Sequence, residues 1–272
     1  MTETAKVLGV LPDLSHEGDW LESLVVDLPE QGWRRATPAV GWDIATTVAH
    51  LAWTDEAAVL AAAATYGPEG KAEWDALVMQ AIADPEGFVD EAAHRGGDVA
   101  PDELLARWRT SRQELARVLA DHPGDERMPW FGPPMSSTSM ATARYMETWA
   151  HGLDIAQALD VRVEPHDRVR HVVHIGVRTR DFSFRNRGEE PPAAQFRIEL
   201  DSPSGETWTY GPEDAEQRVT GAAWDFAVLV TQRGHRDDLD VKADGAEAGH
   251  WLDIAQAFAG PSGNGREPRG ER

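Results

Sequence analysis

Cysteine is absent from the 272 residues. That absence removes disulfides, thiolate zinc sites, iron–sulfur clusters and a cysteine nucleophile together. Any metal must then sit on imidazole and carboxylate, and any thiol chemistry must take its sulfur from a small molecule. Positive charge is scarce as well, since 26 Lys and Arg face 47 Asp and Glu for a formal net charge of −21. Such a surface repels phosphate backbones and anionic lipid, so neither nucleic acid nor membrane is an expected partner. The chain has no apolar run of the roughly 18 residues a membrane span needs. Its N-terminal segment holds only the brief apolar stretch Val7–Leu11 and already carries Glu3 and Lys6. It does not read as a secretory signal, and a cytoplasmic location is expected. Missing too are Gly-x-Gly-x-x-Gly, a P-loop, a Gly-x-Ser-x-Gly elbow and His-Glu-x-x-His, which withdraws the usual support for nucleotide binding, serine hydrolysis and metalloproteolysis.

What the chain does contain is helical periodicity. From Leu14 to about Leu159 the apolar spacing fits four or five helices broken by turn chemistry. Trp20, Leu21, Leu24, Val25 and Leu28 mark a first helix. Asp43 to about Thr65 is charged only at Asp55 and Glu56 inside, the pattern of a buried helix. A short helix near Lys71–Ala83, a connection from Pro85 to Gly97 and an amphipathic helix from Pro101 to about Asp121 follow. Ser136, Ser137 and Thr138 are caps for a helix reaching Leu159. Beyond Asp160 the pattern changes. Pro165 to about Phe184 reads as helix, and Gln195–Asp201, Glu206–Tyr210 and Gln217–Thr220 alternate like half-buried strands. A helix from Gly221 to Gln232, a strand around Leu239–Lys242 and a helix Ala246–Ala259 complete a small α+β domain. The expected organisation is a helical bundle over 1–160, the α+β domain over 161–259 and a disordered tail over 260–272.

Ten histidines are present, and three of them follow a carboxylate by four residues: Asp90/His94, Glu147/His151 and Asp167/His171. This spacing sets both groups on one helix face, one turn apart, where they can grip one metal. The first pair precedes Arg95-Gly96-Gly97 at the end of a charged segment, and the third lies among Arg168, Arg170 and Arg178, so both read as ordinary surface pairs. The middle pair belongs to a stripe of Met140, Arg144, Glu147, His151, Asp154 and Ala158 on an otherwise weakly polar helix. That stripe faces either solvent or a polar site inside the bundle. His50 lies mid-helix in the most apolar helix of the chain, where an unpartnered imidazole is costly. It is either a core histidine bonded to a nearby carbonyl or the partner of Glu147 and His151 in a His₂Glu set. Three protein ligands and an open fourth position are the layout of catalytic zinc. In that arrangement Asp154 orients an imidazole, and Arg144 binds a substrate carboxylate.

Two blocks carry a family resemblance. Thr37-Pro38-Ala39-Val40-Gly41-Trp42-Asp43 followed by Val48-Ala49-His50-Leu51, and Met146-Glu147-Thr148-Trp149-Ala150-His151-Gly152-Leu153-Asp154, resemble the two signatures of mycothiol-dependent maleylpyruvate isomerase-like proteins. These are a branch of the DinB-type four-helix bundles. The Ala-His-Leu-Ala-Trp-Thr-Asp-Glu and Met-Glu-Thr-Trp-Ala-His blocks are similar to those of an actinobacterial subgroup of metal-binding proteins. The resemblance implies a mainly α fold, an N-terminal DinB-like bundle followed by a small α+β sterol-carrier-like domain. It also implies a divalent metal, usually zinc, on His50, Glu147 and His151. A loose match around Asp225–Arg233 offers Arg233 beside Arg144 as a cation for an anionic substrate or thiol. Thr54, one turn after His50, and Trp53, Trp130 and Trp149 are candidates for lining the cavity, with ordinary core packing as the alternative for the tryptophans.

The expected activity is therefore that of a zinc-dependent transferase or isomerase in which the metal activates mycothiol, a low-molecular-weight thiol, for attack on a small electrophilic substrate. Two alternatives use the same residues. One is a zinc hydrolase or lyase acting through metal-bound water, and the other is a non-catalytic protein that binds a metal or a small ligand. Monomer and homodimer both remain open.

Overall fold

The computed structural model describes residues 3–124, 126–263 and 265–270, and the chain divides into two units, Met1–Arg162 and Val163–Arg272. The first unit is helical: α1 (Glu3–Val25), α2 (Glu30–Trp33), α3 (Ile44–Ala63), α4 (Pro68–Ala83), α5 (Phe88–Gly97), α6 (Pro101–Asp121) and α7 (Ser137–Ala158). Helices α1, α3, α6 and α7 form the bundle, α1 packing on α6 and α7, and α3 on the same two. Helix α3 is buried along nearly its whole length, from Ile44 to Ala62. This is what a helix without a polar face must do. Its start is fixed by Asp43, whose side chain accepts from the Thr46 amide at 2.7 Å, and that of α7 by Ser136, which accepts from Ser139. Both caps satisfy amides the helix cannot pair internally.

Two elements of this unit differ from the expectation. Helix α1 begins at Glu3 and runs through Pro12, because Val7, Val10, Leu11 and Leu14 pack into a core shared with Ala57, Ala61, Leu115 and Leu119. The segment read as a connection from Pro85 to Gly97 contains α5. Its terminal glycines mark a close approach and not a loop: a Cβ on Gly97 would lie 2.9 Å from the Thr46 amide nitrogen and one on Gly96 3.1 Å from Ala49 Cβ. Bare backbone here lets α5 lie against α3.

The second unit holds α8 (Arg170–Arg178), α9 (Arg180–Arg185), β1 (Arg197–Asp201), β2 (Thr207–Tyr210), β3 (Arg218–Ala222), α10 (Ala223–Val230), β4 (Val241–Asp244) and α11 (Ala246–Ile254). The sheet order is β2-β1-β3-β4, with β1 parallel to β3 and both outer pairings antiparallel. The single helix expected up to Phe184 is broken at Thr179, whose hydroxyl donates back to the Ile175 and Gly176 carbonyls. Phe196 and Phe226 pack on Trp251 at centroid distances of 5.9 and 5.8 Å. In the segment read as a disordered tail, Asn264, Glu271 and Arg272 lie outside the described residues. The remainder has neither helix nor strand, and it is tied at the Gly260 and Gly263 carbonyls, which accept from Asn186 and Arg187, and at the Arg269 amide, which donates to Asp238. No described helix is long and apolar enough to cross a membrane.

Candidate metal centre

The polar stripe of α7 faces inward. Arg144 and Asp154 are 2% and 1% exposed and His151 is 8% exposed, so Met140, Arg144, His151 and Asp154 meet the other bundle helices, while Glu147 is half-buried and keeps one edge toward water. Opposite them on α3 stands His50, itself buried. One Glu147 carboxylate oxygen lies 3.5 Å from His50 Nε2 and 3.4 Å from His151 Nε2. The imidazole centroids are 4.9 Å apart, edge to face. Ligand atoms from all three residues fall within 4.8 Å of one another, and the 3.4 and 3.5 Å from the Glu147 oxygen to the two imidazole nitrogens are close to the separation of donors held about 2 Å from one tetrahedral ion.

The protonation states suit a cation. Burial pushes the His50 imidazole down to about 4, against the opposing pull of its Glu147 contact, so at neutral pH it carries a free lone pair. Burial would raise Glu147, but hydrogen bonds and charge from the two imidazoles outweigh it and hold the carboxyl well below its usual range. Behind His151, Asp154 places Oδ2 3.4 Å from Nδ1, which favours the tautomer that leaves Nε2 toward Glu147. His50 Nδ1 is buried with no hydrogen-bond partner among the described residues. The donor set, two imidazoles and one carboxylate, fits a divalent ion of the zinc type.

The other candidates from sequence fall in different places. Arg144 is engaged in a buried ion pair: Nε donates to Asp55 at 3.0 Å, and the two side chains are 3% and 4% exposed. A guanidinium so deep in the bundle needs a fixed counter-charge, and Asp55 supplies it. The Thr54 hydroxyl donates to the His50 and Leu51 carbonyls. Trp53 stands 6.5 Å from the His50 ring and leads into an aromatic cluster, meeting Phe88 at 5.2 Å and Phe131 at 6.4 Å. Trp130 belongs to that cluster through Trp74 and Phe131, and Trp149 is fully buried. Arg233 follows α10 in the second unit and donates to the Thr231 carbonyl at 2.7 Å. Asp167 accepts from the Ser204 amide, and Asp90 from the Trp42 indole.

Two residues at the centre escaped the sequence reading. Asp55 was visible as one of only two charges inside α3, yet nothing in one sequence pairs it with Arg144, 89 positions away. Trp42 lies in the quoted Gly-Trp motif but outside any helix. The structure puts its ring 5.6 Å from His151, nearly parallel at 17°, and 5.0 Å from His50.

Comparison with known proteins agrees with this geometry. Residues 14–156 match the family model described as mycothiol maleylpyruvate isomerase N-terminal domain, and residues 192–243 match one described as wyosine base formation. Two proteins from strains of Mycobacterium tuberculosis, both described as uncharacterized, are 51% identical over 254 residues, 93% of this chain and 96% of theirs. Among solved structures, the mycothiol-dependent maleylpyruvate isomerase superposes with a TM-score of 0.59 at 15% identity, covering 88% of this chain and 94% of that one. A histidine-to-alanine mutant of the same enzyme gives 0.60 at 14%. At such identity the likeness establishes the fold, mainly helical with a small C-terminal sheet. The extent of the domain match, spanning both the His50 and the Glu147/His151 segments, places the chain in the mycothiol maleylpyruvate isomerase N-terminal domain family.

Proposed function

We propose that this protein is a zinc-dependent enzyme of the thiol-dependent transferase or isomerase type, with the metal on His50, Glu147 and His151 and mycothiol as cosubstrate. The observation that carries the reading is the convergence of three buried or half-buried donors from two helices on one point, with a carboxylate behind one of them. A bound zinc ion would supply a Lewis acid able to hold a thiol as thiolate at neutral pH.

This chain's own residues prepare that chemistry. Glu147 holds both imidazole edges toward one point. Asp154 keeps the His151 proton on Nδ1, so that no proton competes for Nε2. Arg144 and Asp55 cancel one another and tie α7 to α3 a short distance along the chain from the ligands. The absence of cysteine agrees with sulfur supplied from outside.

Metal content and calorimetry test the proposal. Purified native protein should carry one equivalent of zinc, and His50→Ala and Glu147→Ala should lose it. A full equivalent retained by both variants overturns the assignment. Mycothiol should bind the zinc form and not the metal-free form. Zinc binding with no thiol binding at millimolar concentration replaces this reading with the hydrolase or lyase that uses metal-bound water.

A further inference from the structure

Trp42 reaches the centre from outside the bundle helices. The turn that carries it is tightly specified: Gly41 has φ +82, the Trp42 amide donates to the Ala39 carbonyl at 3.0 Å, and the Trp42 carbonyl accepts from the Thr37 amide at 2.9 Å and its hydroxyl at 3.1 Å. The next residue is Asp43, the cap of α3. Backbone and cap together fix where the indole starts. Its far end is fixed independently, because Nε1 donates to Asp90 Oδ1 at 3.1 Å, and Asp90 stands on α5. The ring is thereby anchored at both ends while lying face to face with His151 and 5.0 Å from His50.

From this geometry we infer that Trp42, latched by Asp90, is a positioning residue for the two imidazoles and raises their affinity for the metal. The inference rests on the metal assignment of the preceding section. Two physical effects act in the same direction. A clamped indole restricts rotation of the His151 ring, and Asp154 already holds its Nδ1 edge; together they leave one ring plane and one outward nitrogen. An imidazole that donates its lone pair to a cation becomes electron-poor, and the negative face of an indole attracts an electron-poor ring more than a neutral one. The stack is therefore stronger in the metal-bound state, the condition for raising affinity. The Asp90 carboxylate strengthens it further by polarising the indole N–H.

The test uses the full chain, zinc as the only ligand, and four variants: Trp42→Ala, Trp42→Phe, Asp90→Ala and Asp90→Asn. Zinc affinity is read by competition with a chromophoric chelator, and ligand geometry by the visible spectrum of the cobalt-substituted protein. Loss of an outer-shell partner of a metal ligand lowers affinity about 10- to 100-fold, so Trp42→Ala should lose about tenfold. Asp90→Ala, at an exposed position, should lose severalfold. Asp90→Asn keeps an oxygen acceptor and Trp42→Phe keeps a ring face, so each should recover part of the loss, and the cobalt spectrum should shift most in Trp42→Ala. A residue that only stabilises the fold would lower the melting temperature without this order. Zinc affinity within twofold of native in both alanine variants, with an unchanged cobalt spectrum, overturns the inference and leaves the metal assignment standing. Failure of native protein to bind zinc overturns both.

Discussion

Removing one member of the Arg144–Asp55 pair should be among the most damaging single changes available in the bundle. The guanidinium and carboxylate meet at 3.0 Å with side chains 3% and 4% exposed, and Arg144 Nη2 also reaches the Leu51 carbonyl at 3.5 Å. Asp55→Ala leaves a buried cation with one weak carbonyl contact. The loss of a partner from such a pair costs about 3–5 kcal/mol, and for a unit of this size each kcal/mol lowers the melting temperature by about 2–4 °C, so a drop of about 10 °C is expected. Replacing both partners, Asp55→Leu with Arg144→Met, removes the uncompensated charge and should recover most of the loss. Urea denaturation of the metal-free protein, followed by circular dichroism across native, single and double variants, gives the coupling energy. A loss below about 1 kcal/mol in Asp55→Ala, or a double variant no better than the single, refutes the account of the pair as a mutually dependent buried unit. Zinc affinity should also fall in Asp55→Ala, because the stranded positive charge lies near His50.

Acid should weaken the metal-free protein in a defined window. The folded His50 imidazole resists protonation down to about 4 whereas its unfolded counterpart accepts a proton near 6.5; stability is full above 6.5 and falls by about 3 kcal/mol toward pH 4. Glu147, also depressed, adds loss of the same sign at lower pH, and denaturation at stepped pH that shows a flat profile between 7 and 4 contradicts the account of His50. Asp154→Asn should lower zinc affinity by about 10- to 100-fold while leaving the fold intact, measured by the same chelator competition; an unchanged affinity removes Asp154 from the centre. Gly152→Ala should destabilise by about 1–3 kcal/mol, since the added Cβ would sit 2.6 Å from the Trp20 ring and 3.5 Å from Leu21. A melting temperature equal to native would show that the α1–α7 contact has slack.

The helices were legible where periodicity and caps coincide. Asp43 before an uncharged run and Ser136 before α7 announce their elements within a residue or two, and the turn residues between strands delimit the small sheet. Burial of the α7 stripe was not legible, because Arg144, Glu147, His151 and Asp154 at helical spacing describe a solvent face as well as an interior one. What decides between them is the partner helix: His50 and Asp55, five residues apart on α3, meet Glu147 and Arg144, three apart on α7. Helix α5 was lost to a composition rule. Gly96-Gly97 resembles loop punctuation, and only the packed structure shows those glycines as the contact surface that brings α5, and with it Asp90, close to α3.

The charges within the bundle bear on the proposed metal centre. Arg144 and Asp55 neutralise one another at 3.0 Å. Glu147 and Asp154 flank His151, each with an oxygen 3.4 Å from one of its ring nitrogens. Asp154 is buried and Glu147 half-buried, and a carboxylate drawn out of water is costly unless it is partnered. A cation among the three donors would pair directly with the Glu147 carboxylate, and a divalent ion would gain about twice the Coulomb attraction of a monovalent one. The same argument assigns the Arg144–Asp55 pair its place in the design. Were Asp55 absent, the guanidinium would stand uncompensated near His50 and oppose a cation at the three donors.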